Sequence, residues 1–173
     1  NYEDITQASK IVLPGVGSFD PMMEKIYSKN LADVLNFKVM EEKVPILGIC
    51  LGAQIMCNSS QEGQNRGFGW LEAEVVRFKF SNDSPEKIPH MRWNSINIKK
   101  ENKLFNNIDR DSRFYFVHSY HFKLKNNKNE ICVTNYGYEF VSYFQKNNIF
   151  GVQFHPEKSH KFGLKLFQNF ALI

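Results

Sequence analysis

The sequence has few cysteines, no long apolar run and no strong excess of charge. Its 173 residues include three cysteines, Cys50, Cys57 and Cys132, which are too few and too scattered for a disulfide framework or a four-ligand zinc site. No stretch approaches the roughly 20 consecutive apolar residues that a membrane-spanning helix needs. Residues 1–4 lack the basic-then-apolar order of a secretory signal. We therefore expect a cytoplasmic protein without a membrane segment or a metal site.

The charge balance gives little reason to expect a nucleic-acid ligand. Lysine and arginine number 22 against 18 aspartates and glutamates, for a formal net charge of +4. The lysines alternate with acidic residues, and no basic array interleaved with aromatic residues frames them. Hydrophobic residues make up 42% of the chain, which is enough material for a substantial core. We expect a solvated surface around one domain that spans residues 1–173.

The first half of the chain predicts alternating strands and helices. Residues 10–13 and 44–49 are short apolar runs typical of buried strands. Residues 20–40 form an amphipathic stretch with apolar side chains at helical spacing, and residues 51–57 predict a further helix. Such alternation favours parallel strands joined by right-handed crossovers.

The second half predicts mostly antiparallel strands. We expect these strands at residues 73–80, 95–98, 114–119, 131–136, 140–145 and 149–154, with a closing amphipathic helix over residues 161–170. The pattern as a whole predicts an α/β fold.

The segment around Cys50 has the form strand, Gly-x-Cys-x-Gly, helix. Gly48 and Gly52 flank a turn so sharp that side chains there would collide with neighbouring elements. The pattern is that of a nucleophile elbow with sulfur in place of oxygen. We expect the following helix N-terminus to favour the thiolate of Cys50. A small buried cysteine at a strand–helix junction explains this pattern equally well when it is taken alone.

A partner for a nucleophilic cysteine follows the last predicted strand. His155 comes directly after an apolar run and before Pro156, so it should lie in the loop at that strand's end. Glu157 is near enough to orient the imidazole by a hydrogen bond. Cys50, His155 and Glu157 thus supply the three parts of a catalytic triad, which is recognised by roles and not by order. His118 is the alternative base, and we expect it to be a structural strand residue.

The segment Pro14-Gly15-Val16-Gly17 supplies a loop rich in glycine. Glycines permit backbone conformations in which amide groups face outward, as an oxyanion hole requires. A plain turn would have the same composition, and the neighbouring motifs favour the functional interpretation.

In this order, the three motifs resemble those of the class I (triad) glutamine amidotransferases. Further segments are similar to the glutaminase subunit of imidazole glycerol phosphate synthase, the HisH type: 67–71 (GFGWL), 89–94 (PHMRWN), 116–120 (FVHSY) and 151–159 (GVQFHPEKS). The resemblance covers nearly the whole chain. It implies a flavodoxin-like fold with a mixed, largely parallel central sheet, flanking helices and an antiparallel section.

The resemblance also implies the reaction and its residues. Cys50 would attack glutamine and form a γ-glutamyl thioester, with His155 moving protons and Glu157 holding His155. The backbone amides of Val16 and Leu51 would stabilise the oxyanion. The implied substrate-binding residues are Gly15, Gly17, Gln54, Glu62, Ser119 and Tyr120, although ordinary strand packing is an alternative for the last two.

The implied partner is a separate synthase protein that uses the ammonia. A heterodimer with a cyclase of the HisF type would make imidazole glycerol phosphate and AICAR in histidine biosynthesis, and the resemblance implies no cofactor for the glutaminase. The partner would contact His90, Met91, Arg92, Trp93 and Lys158.

Two departures from the family pattern bear on these expectations. Family members usually begin with another β-α unit, so the sheet would lack a strand. Arg92 stands where the histidine-biosynthesis enzymes typically carry glycine, which leaves partner identity open. A paralogous glutaminase for surface-sugar amidation, a catalytically silent binding module and a hydrolase of γ-glutamyl chains are the alternatives.

Overall fold

Helices and strands alternate along the first part of the chain, and strands dominate the second. The structure is a computed structural model, and it describes residues 1–109 and 111–173. The helices are α1 (Tyr2–Gln7), α2 (Phe19–Ser28), α3 (Ala32–Asn36), α4 (Leu51–Gln54) and α5 (His160–Ala171). The strands are β1 (Ile11–Gly15), β2 (Ile46–Cys50), β3 (Ser59–Ser60), β4 (Ala73–Arg77), β5 (His90–Ser95), β6 (Asn97–Ile98), β7 (Arg113–His118), β8 (Tyr120–Leu124), β9 (Glu130–Tyr136), β10 (Tyr138–Lys146) and β11 (Ile149–Val152).

A nine-stranded mixed sheet organises the molecule. Its strand order is β1-β2-β11-β10-β8-β4-β3, with β9 paired to β10 and β6 paired to β9. Strand β2 runs parallel to both β1 and β11, and β10 is antiparallel to β11, β8 and β9. A second sheet consists of the antiparallel pair β5 and β7. The predicted α/β class with a mixed sheet is therefore confirmed.

Strand β2 is buried on both of its faces. Ile46 belongs to one hydrophobic cluster together with Phe19 and Met23 of α2. Leu47 and Ile49 point the other way and belong to a second cluster. A strand with both faces covered has a continuous apolar run in its sequence, which is the pattern that predicted it. Packing on both faces therefore holds the end of β2, where Cys50 follows the apolar run, in a fixed position.

One predicted helix is wrong in its extent. Residues 20–40 form no continuous helix, because α2 ends at Ser28 and α3 begins at Ala32. Asn30 between them has a φ of 53°, a left-handed conformation that a helix cannot continue through. A π-helical turn, Phe37–Glu41, extends α3. The helix predicted for residues 51–57 is likewise reduced to the four residues of α4.

The predicted strands are mostly present, with one change of partner. The segment expected as an antiparallel strand at residues 149–154 ends at Val152 and lies parallel to β2 on one side. Only its other neighbour, β10, is antiparallel to it. Strand β8 was not predicted, and of β5 only Ser95 fell within a predicted strand. None of the helices in the described residues is long and apolar enough to cross a membrane.

Candidate active site

Cys50 ends β2 and begins the turn into α4. Its φ of 51° and ψ of −113° are rare for a residue with a side chain, and such strain costs about 1 to 3 kcal/mol. The turn is tight because a β-carbon on Gly48 would lie 2.6 Å from Cα of Ala53. The predicted sharp turn between strand and helix is confirmed, and the packed core under β2 holds Cys50 in it.

His155 and Glu157 form a hydrogen-bonded pair after β11. Nδ1 of His155 lies 2.6 Å from Oε1 of Glu157. A carboxylate can only accept, so Nδ1 carries the proton and Nε2 remains available as a base. The amide N–H of His155 donates to the carbonyl of Tyr115 at 2.8 Å, and the hydroxyl of Ser159 donates to the His155 carbonyl at 2.6 Å. These bonds fix the backbone of a histidine that is only 2% exposed.

Most of the predicted site residues line one cavity of about 350 Å³. The predicted residues that line it are Gly15, Val16, Gly17, Cys50, Leu51, Gln54, Glu62, Ser119, Tyr120, His155 and Lys158. They come from segments as far apart in sequence as β1 and the loop after β11. Glu157 lies outside the cavity wall, on the far side of the His155 ring, which is where an orienting residue belongs.

The Cys50 thiol is less acidic than its position at a helix start led us to expect. Burial raises the pKa of Cys50 to about 12, and the negative charge of Glu157 acts in the same direction. Hydrogen bonds from the Leu51 amide and the Gln153 side chain lower the pKa, but by less than burial raises it. The Leu51 amide therefore acts in the direction expected of a helix start, but burial outweighs it. Ionisation of the thiol needs a base such as His155.

The carboxylate of Glu62 lines the cavity and is held by a helix. Its Oε2 accepts a hydrogen bond of 3.0 Å from the amide of Phe19, the first residue of α2. Burial raises the pKa of Glu62, and that amide lowers it. The other carboxylate oxygen has no hydrogen bond within the described residues, so it can accept from a cationic ligand group.

The glycine loop after β1 contributes two exposed positions to the cavity. Gly17 has a φ of 101°, and no atom lies within 4 Å of the place where a β-carbon would stand. Val16 is 78% exposed. The amide of Leu51 hydrogen-bonds to the Cys50 sulfur. Backbone amides thus approach the sulfur from α4, and the loop of Val16 and Gly17 borders the same space.

A family model described as glutamine amidotransferase class-I matches residues 2–173. The chain belongs to the class I glutamine amidotransferases. The imidazole glycerol phosphate synthase subunit HisH 2 of Methanococcus maripaludis is 52% identical over 168 residues, covering 97% of this chain and 82% of that protein. The subunit HisH of Leptospira borgpetersenii is 43% identical over 172 residues, covering 99% of this chain and 84% of that protein.

Solved structures share the fold of this amidotransferase. A crystal structure of a glutamine amidotransferase aligns with a TM-score of 0.69 at 16% identity, covering 99% of this chain and 84% of that chain. The glutaminase domain of CTPS from Trypanosoma brucei, solved with acivicin, aligns with a TM-score of 0.59 at 15% identity, covering 99% of this chain and 74% of that chain. At such identities the likeness concerns the fold.

Four residues near the amidotransferase site were not predicted. Pro89, Val117 and His118 line the cavity, and Gln153 hydrogen-bonds to Cys50. His118 is the last residue of β7, as expected of a strand residue, and it also lines the cavity. Gln153 could have been found as the polar residue that interrupts the apolar run before His155.

His90 is the one predicted partner-contact residue that the structure places inside. It is fully buried, and its Nδ1 lies 3.0 Å from Nε2 of His118. Nδ1 of His118 lies 2.7 Å from the carbonyl of Tyr120, so that nitrogen is the donor and Nε2 of His118 accepts from His90. The prediction that His90 contacts a partner is wrong, since its side chain is committed to this internal pair.

The other predicted partner residues lie at or near the surface. Met91 is 59% exposed. Arg92 is held by its own chain, since its guanidinium bonds Glu86 at 3.0 Å and lies 4.8 Å from the ring centroid of Tyr136. Trp93 stacks on His160, and the ammonium of Lys158 lies 5.9 Å from the ring centroid of Tyr115.

No three histidine, cysteine, aspartate or glutamate side chains converge as metal ligands in residues 1–109 and 111–173.

Proposed function

We propose that this amidotransferase is the glutaminase subunit of an imidazole glycerol phosphate synthase. It hydrolyses L-glutamine to glutamate and ammonia through a thioester on Cys50. A cyclase of the HisF type uses the ammonia to form imidazole glycerol phosphate and AICAR. The observation that carries the proposal is one cavity wall shared by Cys50 and His155, with Glu157 hydrogen-bonded to the far nitrogen of the imidazole.

The first half-reaction joins sulfur to the substrate. Nε2 of His155 accepts the thiol proton as Sγ of Cys50 attacks the side-chain carbonyl carbon of glutamine. The carbonyl oxygen becomes an oxyanion and accepts hydrogen bonds from the amides of Leu51 and Val16. His155 then returns its proton to the amide nitrogen, the C–N bond breaks and ammonia leaves. The raised pKa of the thiol supports this order, because the proton leaves as the S–C bond forms.

The second half-reaction restores the enzyme. Water adds to the thioester carbonyl carbon while Nε2 of His155 takes one of its protons. The tetrahedral intermediate collapses with cleavage of the C–S bond, and the sulfur recovers its proton from the imidazole. Glu157 keeps Nδ1 protonated throughout, so that Nε2 faces the reacting atoms in both steps.

The polar lining suggests how glutamine is oriented. The free carboxylate oxygen of Glu62 accepts from the substrate's α-ammonium group, as does the side-chain carbonyl oxygen of Gln54. The amide nitrogen of Gln54 is already bonded to Tyr120 and Gln153, which leaves its oxygen for the substrate. Ser119 and Tyr120, which line the same cavity, hold the α-carboxylate.

The surface beside the cavity supports a protein partner. Met91 exposes an apolar side chain next to Trp93 and Arg92 on β5, and Lys158 borders the cavity itself. Arg92 favours a second candidate, a paralogous glutaminase that supplies a sugar-amidating synthase. Its guanidinium, paired with Glu86, adds bulk and charge where the histidine-pathway motif has glycine.

A glutaminase assay with three partner conditions tests the function. The chain is assayed alone, with an imidazole glycerol phosphate cyclase and its nucleotide ligand, and with a sugar-amidating synthase. We expect slow turnover alone and a large rise in kcat, with little change in KM, with the cyclase. If only the sugar-amidating synthase stimulated the chain, the second candidate would be the correct function. No hydrolysis under any condition would identify a silent binding module.

The stimulation has a physical basis in the glycine loop. An oxyanion donor that turns into place contributes about 3 to 4 kcal/mol, or on the order of a hundred- to a thousandfold in rate. Gly17 and Gly15 permit that rotation of the Val16 amide. Full activity of the isolated chain would contradict the switch and leave the glutaminase assignment intact.

We further propose that residues 1–173 form a single domain. The support is that the large sheet carries β1 at one end and β3 at the other, with both hydrophobic clusters packed against β2.

A further inference from the structure

A chain of side-chain amides leads from the cavity wall to the Cys50 sulfur. Nε2 of Gln54 lies 3.2 Å from the carbonyl of Tyr120 and 3.1 Å from Oε1 of Gln153. Nε2 of Gln153 lies 3.6 Å from Sγ of Cys50. Gln153 is 0% exposed and Gln54 is 4% exposed, so water does not compete for these bonds.

In this series of hydrogen bonds, the backbone carbonyl at one end decides which group donates and which accepts in each bond. The backbone carbonyl of Tyr120 can only accept, so the NH₂ group of Gln54 faces it. The second hydrogen of that NH₂ group donates to the oxygen of Gln153. The NH₂ group of Gln153 is therefore turned to the sulfur, as a donor. The same Tyr120 carbonyl accepts from Nδ1 of His118, which anchors the far end of the chain.

A donor at this position matters because the sulfur lies among groups that disfavour its negative charge. Burial is the largest of these influences, and the carboxylates of Glu157 and Glu62 add to it. Hydrogen bonds to an ionised acceptor are about twice as strong as neutral ones, so the Gln153 bond strengthens as the thiol ionises. The titratable residues that face Cys50 across the cavity or through His155 are Glu62, His118, Tyr120, His155, Lys158 and Glu157.

We propose that Gln153 is a positioning residue for the nucleophile, whose amide N–H holds the Cys50 sulfur and stabilises its thiolate as the proton leaves. Gln54 acts through Gln153 by fixing the direction of its amide. The inference rests on the proposed function, since it assigns Gln153 a part in the same reaction. It concerns the ionisation of Cys50, however, which is measured without glutamine.

The test is the rate of Cys50 alkylation by iodoacetamide at pH 8, with the site of labelling read by peptide mass spectrometry. Gln153→Met keeps the length of the side chain and removes the donor. We expect alkylation about three- to tenfold slower, because less thiolate is present and its higher nucleophilicity offsets part of the loss. An unchanged rate in a folded Gln153→Met protein would overturn the proposal.

Gln153→Glu provides a second variant with nearly native shape. In its ionised form the new side chain still accepts from Gln54, cannot donate to the sulfur and adds a negative charge there. We expect alkylation at least as slow as in Gln153→Met, and a lower kcat for glutamine with a KM close to that of the wild type. Alkylation at the wild-type rate in this variant would contradict the proposal even if Gln153→Met failed to fold.

Ser142→Ala is the matched control. Ser142 is buried on β10, and its carbonyl accepts from the Gln153 amide, but its hydroxyl has no hydrogen-bond partner within the described residues. Its alkylation rate should equal that of the wild type, and a slowing as large as that of Gln153→Met would refute a specific role for Gln153. If the wild type lacked glutaminase activity with every partner, the proposed function would fail while the alkylation result still decided whether Gln153 stabilises the thiolate.

Discussion

Gly15 at the end of β1 and Gly52 in α4 pack backbone against backbone. A β-carbon on Gly15 would lie 2.4 Å from the amide nitrogen of Gly52, and one on Gly52 would lie 1.8 Å from the carbonyl oxygen of Leu13. The two contacts bring the glycine loop and the cysteine turn to the same side of the sheet. The glycine loop and Cys50 are thus adjacent because neither Gly15 nor Gly52 has a side chain.

Gly52→Ala should disrupt this contact. The added methyl has only backbone atoms to displace, so we expect a loss of more than about 2 kcal/mol in the free energy of unfolding and a large loss of kcat. Gly17→Ala is the comparison, because its methyl would meet no atom within 4 Å. In that variant the free energy of unfolding should fall by about 1 to 2 kcal/mol, because alanine is strained in the left-handed backbone conformation. Equal stabilities of the two variants in urea titrations would contradict the packing argument.

Cys50→Ala should abolish glutamine hydrolysis and leave the fold intact. A glutamine-like alkylating agent such as diazo-oxo-norleucine should label Cys50 alone, because Cys50 lines the cavity and neither Cys57 nor Cys132 does. Peptide mapping that found the label on another cysteine would overturn the assignment.

The alkylation of Cys50 by iodoacetamide should depend on pH in a particular way. With the pKa of the thiol raised to about 12 by burial, the rate should keep rising with pH and show no plateau below about pH 10. Circular dichroism at each pH is the control, because it shows whether the protein is still folded. A plateau near neutral pH would mean that the free enzyme holds a preformed thiolate.

His155→Asn should lose activity by about 10² to 10⁴-fold, because the general base is removed. Glu157→Gln should lose less, since only the orientation of the ring is affected and the amide can still accept from Nδ1. His118→Asn is the comparison within the cavity. Initial-rate kinetics in the presence of the partner would measure all three, and a loss in His118→Asn as large as that in His155→Asn would mean the base is wrongly assigned.

The buried histidine pair should make the protein sensitive to acid. Burial, with the charge of Arg92, lowers the pKa of His90 from 6.5 to about 4, and burial lowers the pKa of His118 as well. Below pH 6.5 the unfolded chain therefore binds protons that the folded chain does not. For His90 this contribution to stability is complete above pH 6.5 and is lost as the pH falls toward 4, at about 1.4 kcal/mol per pH unit. His118 adds a contribution of the same sign.

Urea unfolding at pH 7.5 and pH 5 measures this effect. His90→Phe keeps an aromatic ring beside Phe116 and Tyr136 and removes one titrating group, so its stability should fall less between the two pH values. An equal fall in the variant and the wild type would show that His90 does not contribute.

The sequence by itself determined the class of the fold and most of the site. The apolar run of β2, the glycines around Cys50 and the order of the motifs are local patterns, and local patterns decide backbone conformation within a few residues. Eleven residues named from these motifs line the cavity, although their meeting there depends on the fold.

Only the tertiary structure decided burial and neighbours. The break at Asn30, the parallel pairing of β11 with β2, the burial of His90 and the raised pKa of Cys50 all depend on what packs against each segment. Gln153 shows the difference most clearly. Its place beside the Cys50 sulfur joins residues 103 positions apart, and such a contact arises from the alignment of two parallel strands rather than from any pattern along one of them.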